Sequence, residues 1–155
     1  MFPFEWLKDL PLESFSSNQE LIRVGVCQEK IYFLKCGKVE VVRDGCRIAL
    51  IKSPGSVLGE ISVLLGIPTT ATIRALEDST LLVAHKGLDF LRDNPRILVH
   101  VSRTLASRLD AASRYLVDVK EQLQDSSDHI GIVDGVLDAI VHRDLKKKVV
   151  SSLSD

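Results

Sequence analysis

The sequence predicts an α+β domain, a small antiparallel β sandwich or barrel followed by helices. Three observations carry this. Short apolar segments recur at roughly ten-residue spacing between Glu20 and Lys86, separated by glycine turns. Asp44-Gly45 sits between two of them, and Asp-Gly suits a tight hairpin turn that needs positive φ. From Pro95 onward the apolar spacing changes to steps of three and four, the period of an amphipathic helix.

The elements follow in order. Residues 2–15 read as one or two helical turns, with Phe4, Leu7, Leu10, Leu12 and Phe15 packing on something larger and Pro3 and Pro11 bracketing the piece. Predicted strands are Leu21–Val24, Ile31–Leu34, Val39–Val42, Ile48–Ile51, Thr70–Ala75 and Ser79–Ala84. Cys36, just before Gly37, is expected to be half-buried. A short helix, Gly87–Arg92, ends near Asn94-Pro95, and Pro95 suits a first helical position.

The long helix that follows has a heptad seam in two runs. Leu98, Val101 and Leu105 form the first; Leu109, Ala112, Leu116, Val119 and Leu123 form the second, after a stutter. Two partners for this seam stay open: the chain's own barrel, or a second copy in a homodimer through residues 95–124. Asp125-Ser126-Ser127-Asp128 reads as a linker or N-cap. Ile130, Val133, Leu137, Ile140 and Val141 share a further helical face, which ends in Lys146-Lys147-Lys148. The expected division is a domain over 1–124 and a helical extension over 125–155.

Composition narrows the function. Apolar residues make up 45% of the 155 and charged residues 26%, enough for a packed core. Lys+Arg number 20 against 21 Asp+Glu, so the chain lacks the basic excess of a dedicated nucleic-acid or membrane-surface binder. Aromatics at 5% leave few stacking platforms for single strands. No apolar run is long enough to span a membrane, and with acids and no basic or long apolar stretch at the start, no signal peptide is expected. Cys27, Cys36 and Cys46 fit neither a disulfide framework nor a metal site, so a reducing cytoplasm is expected. His85, His100, His129 and His142 have no ligand-like spacing, and no nucleophile–base set can be assembled. Neither an enzyme nor a cofactor is expected.

One segment stands out, Pro54 to Ile73. It interrupts the strands with an apolar helical turn, Ile61 to Leu65, led by Gly59-Glu60 and followed by Gly66-Ile67-Pro68. A glycine at 59 lets backbone approach a ligand closely. The next amides can receive a phosphate, and a carboxylate there can accept hydrogen bonds from vicinal sugar hydroxyls. Small hydroxylated residues after Pro68 add donors without filling a pocket. Read alone, the same residues also suit a strand–turn–strand in which Glu60 is only a helix-start acid.

The order of these parts resembles the cyclic-nucleotide-binding domain family of catabolite activator proteins, kinase regulatory subunits and gated channels. Tyr32–Val41 looks like that family's strand, glycine turn and next strand. Gly59–Leu64 resembles the opening of its phosphate-binding cassette, Pro68–Ile73 its close, and Asn94-Pro95 the start of its long helix. The resemblance covers about residues 15–124. It implies an eight-stranded antiparallel jelly roll, a double-stranded β-helix, with an N-terminal helix and a long C-terminal helix. It also implies a cyclic nucleotide, cAMP or cGMP, between cassette and long helix. Carried over by position, Gly59, Ile61 and Ser62 offer donors, Glu60 holds the ribose 2′-hydroxyl, and Thr69, Thr70 and Ala71 border the phosphate. Ala112 and Ser113 lie where the long helix meets the base, with Arg108 one turn earlier.

There is one departure. The family usually places Arg after the cassette proline, on the phosphate; here it is Thr69. Loss of such a contact, about 1.5–3 kcal/mol, weakens binding unless it is replaced. Arg108 and Arg74 are the candidate replacements, although Arg74 shares a strand face with Thr70 and Thr72 and so can point away from the pocket. The favoured expectation is a stand-alone sensor acting through its C-terminal helices on an unknown protein partner. The alternative is an interaction or dimerisation module of the same fold that has lost its ligand. The 31 residues after the seam are too few for a helix-turn-helix wing, so no DNA-binding domain is expected.

Overall fold

The structure is a computed structural model that describes residues 1–123 and 127–142, with the side chains of 127–130, 141 and 142 outside the description. Eight strands form two antiparallel four-stranded sheets. One sheet has the order β1 (Leu12–Phe15), β8 (Ser79–Ala84), β3 (Ile31–Cys36), β6 (Val57–Leu58). The other has β2 (Glu20–Ile22), β7 (Thr72–Ala75), β4 (Val39–Arg43), β5 (Cys46–Ile51). The helices are α1 (Glu60–Leu65), α2 (Gly87–Asp93), α3 (Pro95–Gln122) and α4 (Ser127–His142), with a 3₁₀ turn at Phe4–Leu7. This is the expected jelly roll, with helical pieces at both ends.

The core follows from strand alternation. Tyr32 and Leu34 of β3 join Ile22, Val39, Leu58, Ile73, Leu81 and Val83 in one buried cluster fed by both sheets. Phe33 points to the opposite face of β3, where its ring meets Phe90 of α2 edge-on at 6.1 Å. β3 is therefore buried on both faces from Ile31 to Leu34, which explains its unbroken apolar run. The Asp44-Gly45 turn joins β4 to β5 with φ of 50° and 76°, the conformation its residues suit.

Several expectations change, among them the strand starts at Thr72 instead of Thr70 and at Cys46 instead of Ile48. Leu12–Phe15 is a strand rather than a helical turn: β1 pairs with β8, Leu12 opposite Leu82, and the Pro11 carbonyl accepts the Val83 amide at 3.0 Å. β2 ends at Ile22 instead of Val24, where the Val24 amide goes to the Thr72 hydroxyl instead of a backbone carbonyl. Cys36 is exposed, as are Cys27 and Cys46. In the first turns of α3, Ile97 and Val101 are buried, while Leu98 is only half-buried.

The chain divides into two compact units, Met1–Val101 and Ser102–Asp155, the division falling within α3. In the second unit Lys120 donates to Asp134, and Val133 of α4 is buried with Leu137 and Ile140 half-buried. The expected linker or cap at 125–128 lies outside the described residues at 125 and 126. So do Lys146-Lys147-Lys148 and the side chains of Ile130 and Val141.

Candidate functional site

The cassette is built where β6 ends. Gly59 turns the chain out of the sheet with φ of 82°. A Cβ there would also lie 2.8 Å from the Lys30 carbonyl oxygen, so both conformation and space call for glycine. Glu60 follows and is 2% exposed. Ile61 turns outward. Ser62 is buried; its hydroxyl donates to the Gly59 carbonyl at 3.1 Å and accepts from the Gln28 side-chain amide at 3.4 Å. Gly66, at φ 62°, closes α1 with its amide on the Ser62 carbonyl.

Thr69 is 5% exposed and fully engaged. Its hydroxyl accepts the Val26 amide at 3.0 Å and donates to the Arg23 carbonyl. Its own amide donates to the Val26 carbonyl at 3.0 Å, and its carbonyl accepts the Gly25 amide at 2.8 Å. The one hydroxyl proton of Thr69 is thus already given away. Thr70 and Ala71 are half-buried beside it.

Arg74 is not a replacement cation for the cassette. On β7 it stands opposite Glu20 and Glu40, while Ile73 beside it points into the core. Its guanidinium donates to Glu40, with Nε at 3.0 Å from Oε1, and Arg47 Nε donates to the other carboxylate oxygen at 2.7 Å. The hydrogen bonds from Arg74 and then Arg47 hold the Glu40 carboxyl below the usual carboxylate range. This ion triplet caps the outer face of the second sheet.

Gly59, Glu60, Ile61, Ser62, Thr69, Thr70 and Ala71 all lie in the first unit, with Ser62 and Thr69 each bonded to the segment between β2 and β3. Arg108, Ala112 and Ser113 lie in the second unit on α3, with Arg108 and Ala112 exposed and Ser113 half-buried. Sequence reasoning missed the segment from Arg23 to Glu29, which holds Thr69 and Ser62. Its one legible signal was Val24 and Val26 flanking Gly25, a pattern shared with any strand. Beside α1 lies a groove of about 560 Å³ whose lining includes Cys27, Gln28, Ser62, Ile67, Lys86 and Gly87. Among the described residues, no group of three or more His, Cys, Asp or Glu could hold a metal ion. No helix among them is long and apolar enough to cross a membrane.

Residues 12–88 match the family model of the cyclic nucleotide-binding domain. These residues belong to that family. The cyclic nucleotide-binding domain spans β1 to the first turn of α2 and contains the whole cassette. The chain is 31% identical over 78 residues to a cAMP-dependent protein kinase regulatory subunit of Debaryomyces hansenii, covering 50% of this chain and 17% of that one. It is 28% identical over 81 residues to patatin-like phospholipase domain-containing protein 7 of Mus musculus, covering 51% of this chain and 6% of that one. It thus spans less than a fifth of the length of either relative.

Solved structures share the fold. The Thermus thermophilus catabolite activator protein superposes with a TM-score of 0.61 at 20% identity, over 90% of this chain and 80% of that one. The second cyclic-nucleotide domain of a PKA regulatory subunit, bound to Sp-2Cl-cAMPS, gives 0.59 at 20% identity over 77% and 80%. The regulatory subunit of a cAMP-independent protein kinase A from Trypanosoma brucei gives 0.55 at 20% identity over 61% and 35%.

Proposed function

We propose that this chain is a regulatory, non-catalytic sensor. It takes a cyclic purine nucleotide, cAMP or cGMP, in the Gly59–Ala71 cassette and passes its state to a partner protein through the C-terminal helices. One observation carries the reading. Of the five buried polar or charged side chains among the described residues, Glu60, Ser62 and Thr69 fall within this one cassette. Ser62 and Thr69 are paired within the chain and fix the cassette's shape, and a carboxylate buried at a backbone turn that needs glycine suits a ligand site. Glu60 then holds the ribose hydroxyls as acceptor. Leu109 and Ala112 of the expected seam are exposed on α3 and share one helical face, which suits a partner surface, with a second copy as one occupant. Three free, exposed thiols suit a reducing cytoplasm.

A second reading, a module of the same fold without nucleotide, is favoured by Thr69. Its hydroxyl proton is committed to Arg23, and Arg74 is committed to Glu40. The fold also serves a regulatory subunit described as cAMP-independent. Calorimetric titration with cAMP and cGMP separates the two. Heat of binding that Glu60→Ala abolishes supports the sensor, and silence at millimolar nucleotide supports the module.

A further inference from the structure

Helices α1 and α2 are neighbours, yet a groove of about 560 Å³ opens between them. A third wall of this groove is the segment that joins β2 to β3, through Cys27, Gln28 and Glu29. The side chain of Gln28 works in two directions. Its Nε2 donates to the Ser62 hydroxyl in α1 at 3.4 Å, and its Oε1 accepts the Lys30 amide at 2.8 Å. Next to it, the Glu29 carbonyl accepts the amide of Gly87, the first residue of α2, at 2.8 Å.

Close packing holds the segment on both sides. A Cβ on Gly59 would lie 2.8 Å from the Lys30 oxygen and 3.1 Å from Gln28 Nε2. A Cβ on Gly87 would lie 2.7 Å from the Glu29 oxygen and 2.6 Å from Ile31 Cγ1. Residues Gln28–Ile31 are thus wedged between the start of the cassette and the start of α2. The wedge is hydrogen-bonded to both helices, and the groove lies beside it.

We propose that Gln28 is a positioning residue that holds the first turn of α1 and links its state to α2. A shift of Ser62 moves the Gln28 amide, which is tied to Lys30, and the same short segment carries the carbonyl that anchors Gly87. The link gives the proposed ligand site its route to the helices and rests on that reading for its purpose. Its test uses ligand-free protein, so failure to bind nucleotide and failure to couple give separate results.

The experiment is hydrogen exchange on the full chain for the wild type, Gln28→Met, Ser62→Ala, the double variant and Ser62→Thr. Methionine keeps the length of Gln28 and removes both hydrogen bonds. The Phe90 amide of α2, bonded to the Lys86 carbonyl at 2.9 Å, reports on the far side of the link. Gln28→Met and Ser62→Ala are each expected to speed its exchange about fivefold, the scale of one lost hydrogen bond. The double variant should fall short of the sum of the two single changes, since they share the Gln28–Ser62 link. Ser62→Thr, which keeps the hydroxyl, should behave as wild type, and the Leu81–Val83 amides of β8 should not change in any variant. Unchanged Phe90 exchange in Ser62→Ala would overturn the proposal, as would additive effects. So would equal loosening of β8, which marks a general loss of stability.

Discussion

Thr69 and Val26 are joined twice, the Val26 amide donating to the Thr69 hydroxyl and the Thr69 amide to the Val26 carbonyl, each at 3.0 Å. Thr69, near the end of the cassette, is therefore a stitch between two loops. Thr69→Val keeps the shape and strands the Val26 amide and the Arg23 carbonyl. We expect a loss of about 1–3 kcal/mol, read as a lower midpoint in urea with an unchanged slope. An unchanged midpoint would mean that water replaces the hydroxyl without cost.

Thr69→Arg tests the same position from the ligand's side. On the proposed reading, a guanidinium at this position adds a charge-assisted contact to the cyclic phosphate, while it leaves the Val26 amide and Arg23 carbonyl without the threonine hydroxyl. Affinity for cAMP or cGMP should rise about 10- to 150-fold, the equivalent of roughly 1.5–3 kcal/mol. Equal affinity in both proteins would place the phosphate elsewhere.

Gly59→Ala forces a side chain into positive φ and against the Lys30 carbonyl at 2.8 Å. The left-handed conformation alone costs about 1–2 kcal/mol, and the contact adds to it. Thermal unfolding should show a clear drop in midpoint together with loss of nucleotide binding. Unaltered binding would show that the turn at 59 does not shape the site.

The Glu40 triplet sets an acid limit. Arg74 and Arg47 lower the Glu40 carboxyl from its ordinary 4.5 in the folded state. The unfolded chain then binds this proton first as pH falls, so stability rises with pH across that window. The contribution is complete above the unfolded value and is lost as pH falls through the folded one. Glu40→Gln should flatten the dependence of the urea midpoint on pH in this acid range. An unchanged slope would assign acid sensitivity to other carboxylates.

Much of this was legible in local chemistry. Ser79–Ala84 came through with its bounds because an apolar run with a buried interior leaves little choice. The Asp44-Gly45 turn did so because its conformation is written in two residues. The strand at Leu12–Phe15 was not legible, since only pairing with Leu82 and its neighbours far along the chain decides against a helical turn. Val57–Leu58 is a strand of two residues, held by Tyr32 and Phe33, and too short to show a period. In the cassette, Gly59 and Glu60 were readable from residue type. The engagement of Thr69 with Arg23–Val26, and of Arg74 with Glu40, depends on partners that no spacing reveals.

A sensor requires that the cassette around Glu60, which is 2% exposed, take a cyclic nucleotide. Isothermal titration of the wild type and Glu60→Ala with cAMP and cGMP tests it most directly. We expect saturable binding of one or both nucleotides by the wild type and at least about a tenfold loss in Glu60→Ala, since a charged hydrogen-bond partner is removed. No heat at millimolar nucleotide, or equal binding by the two proteins, would contradict it.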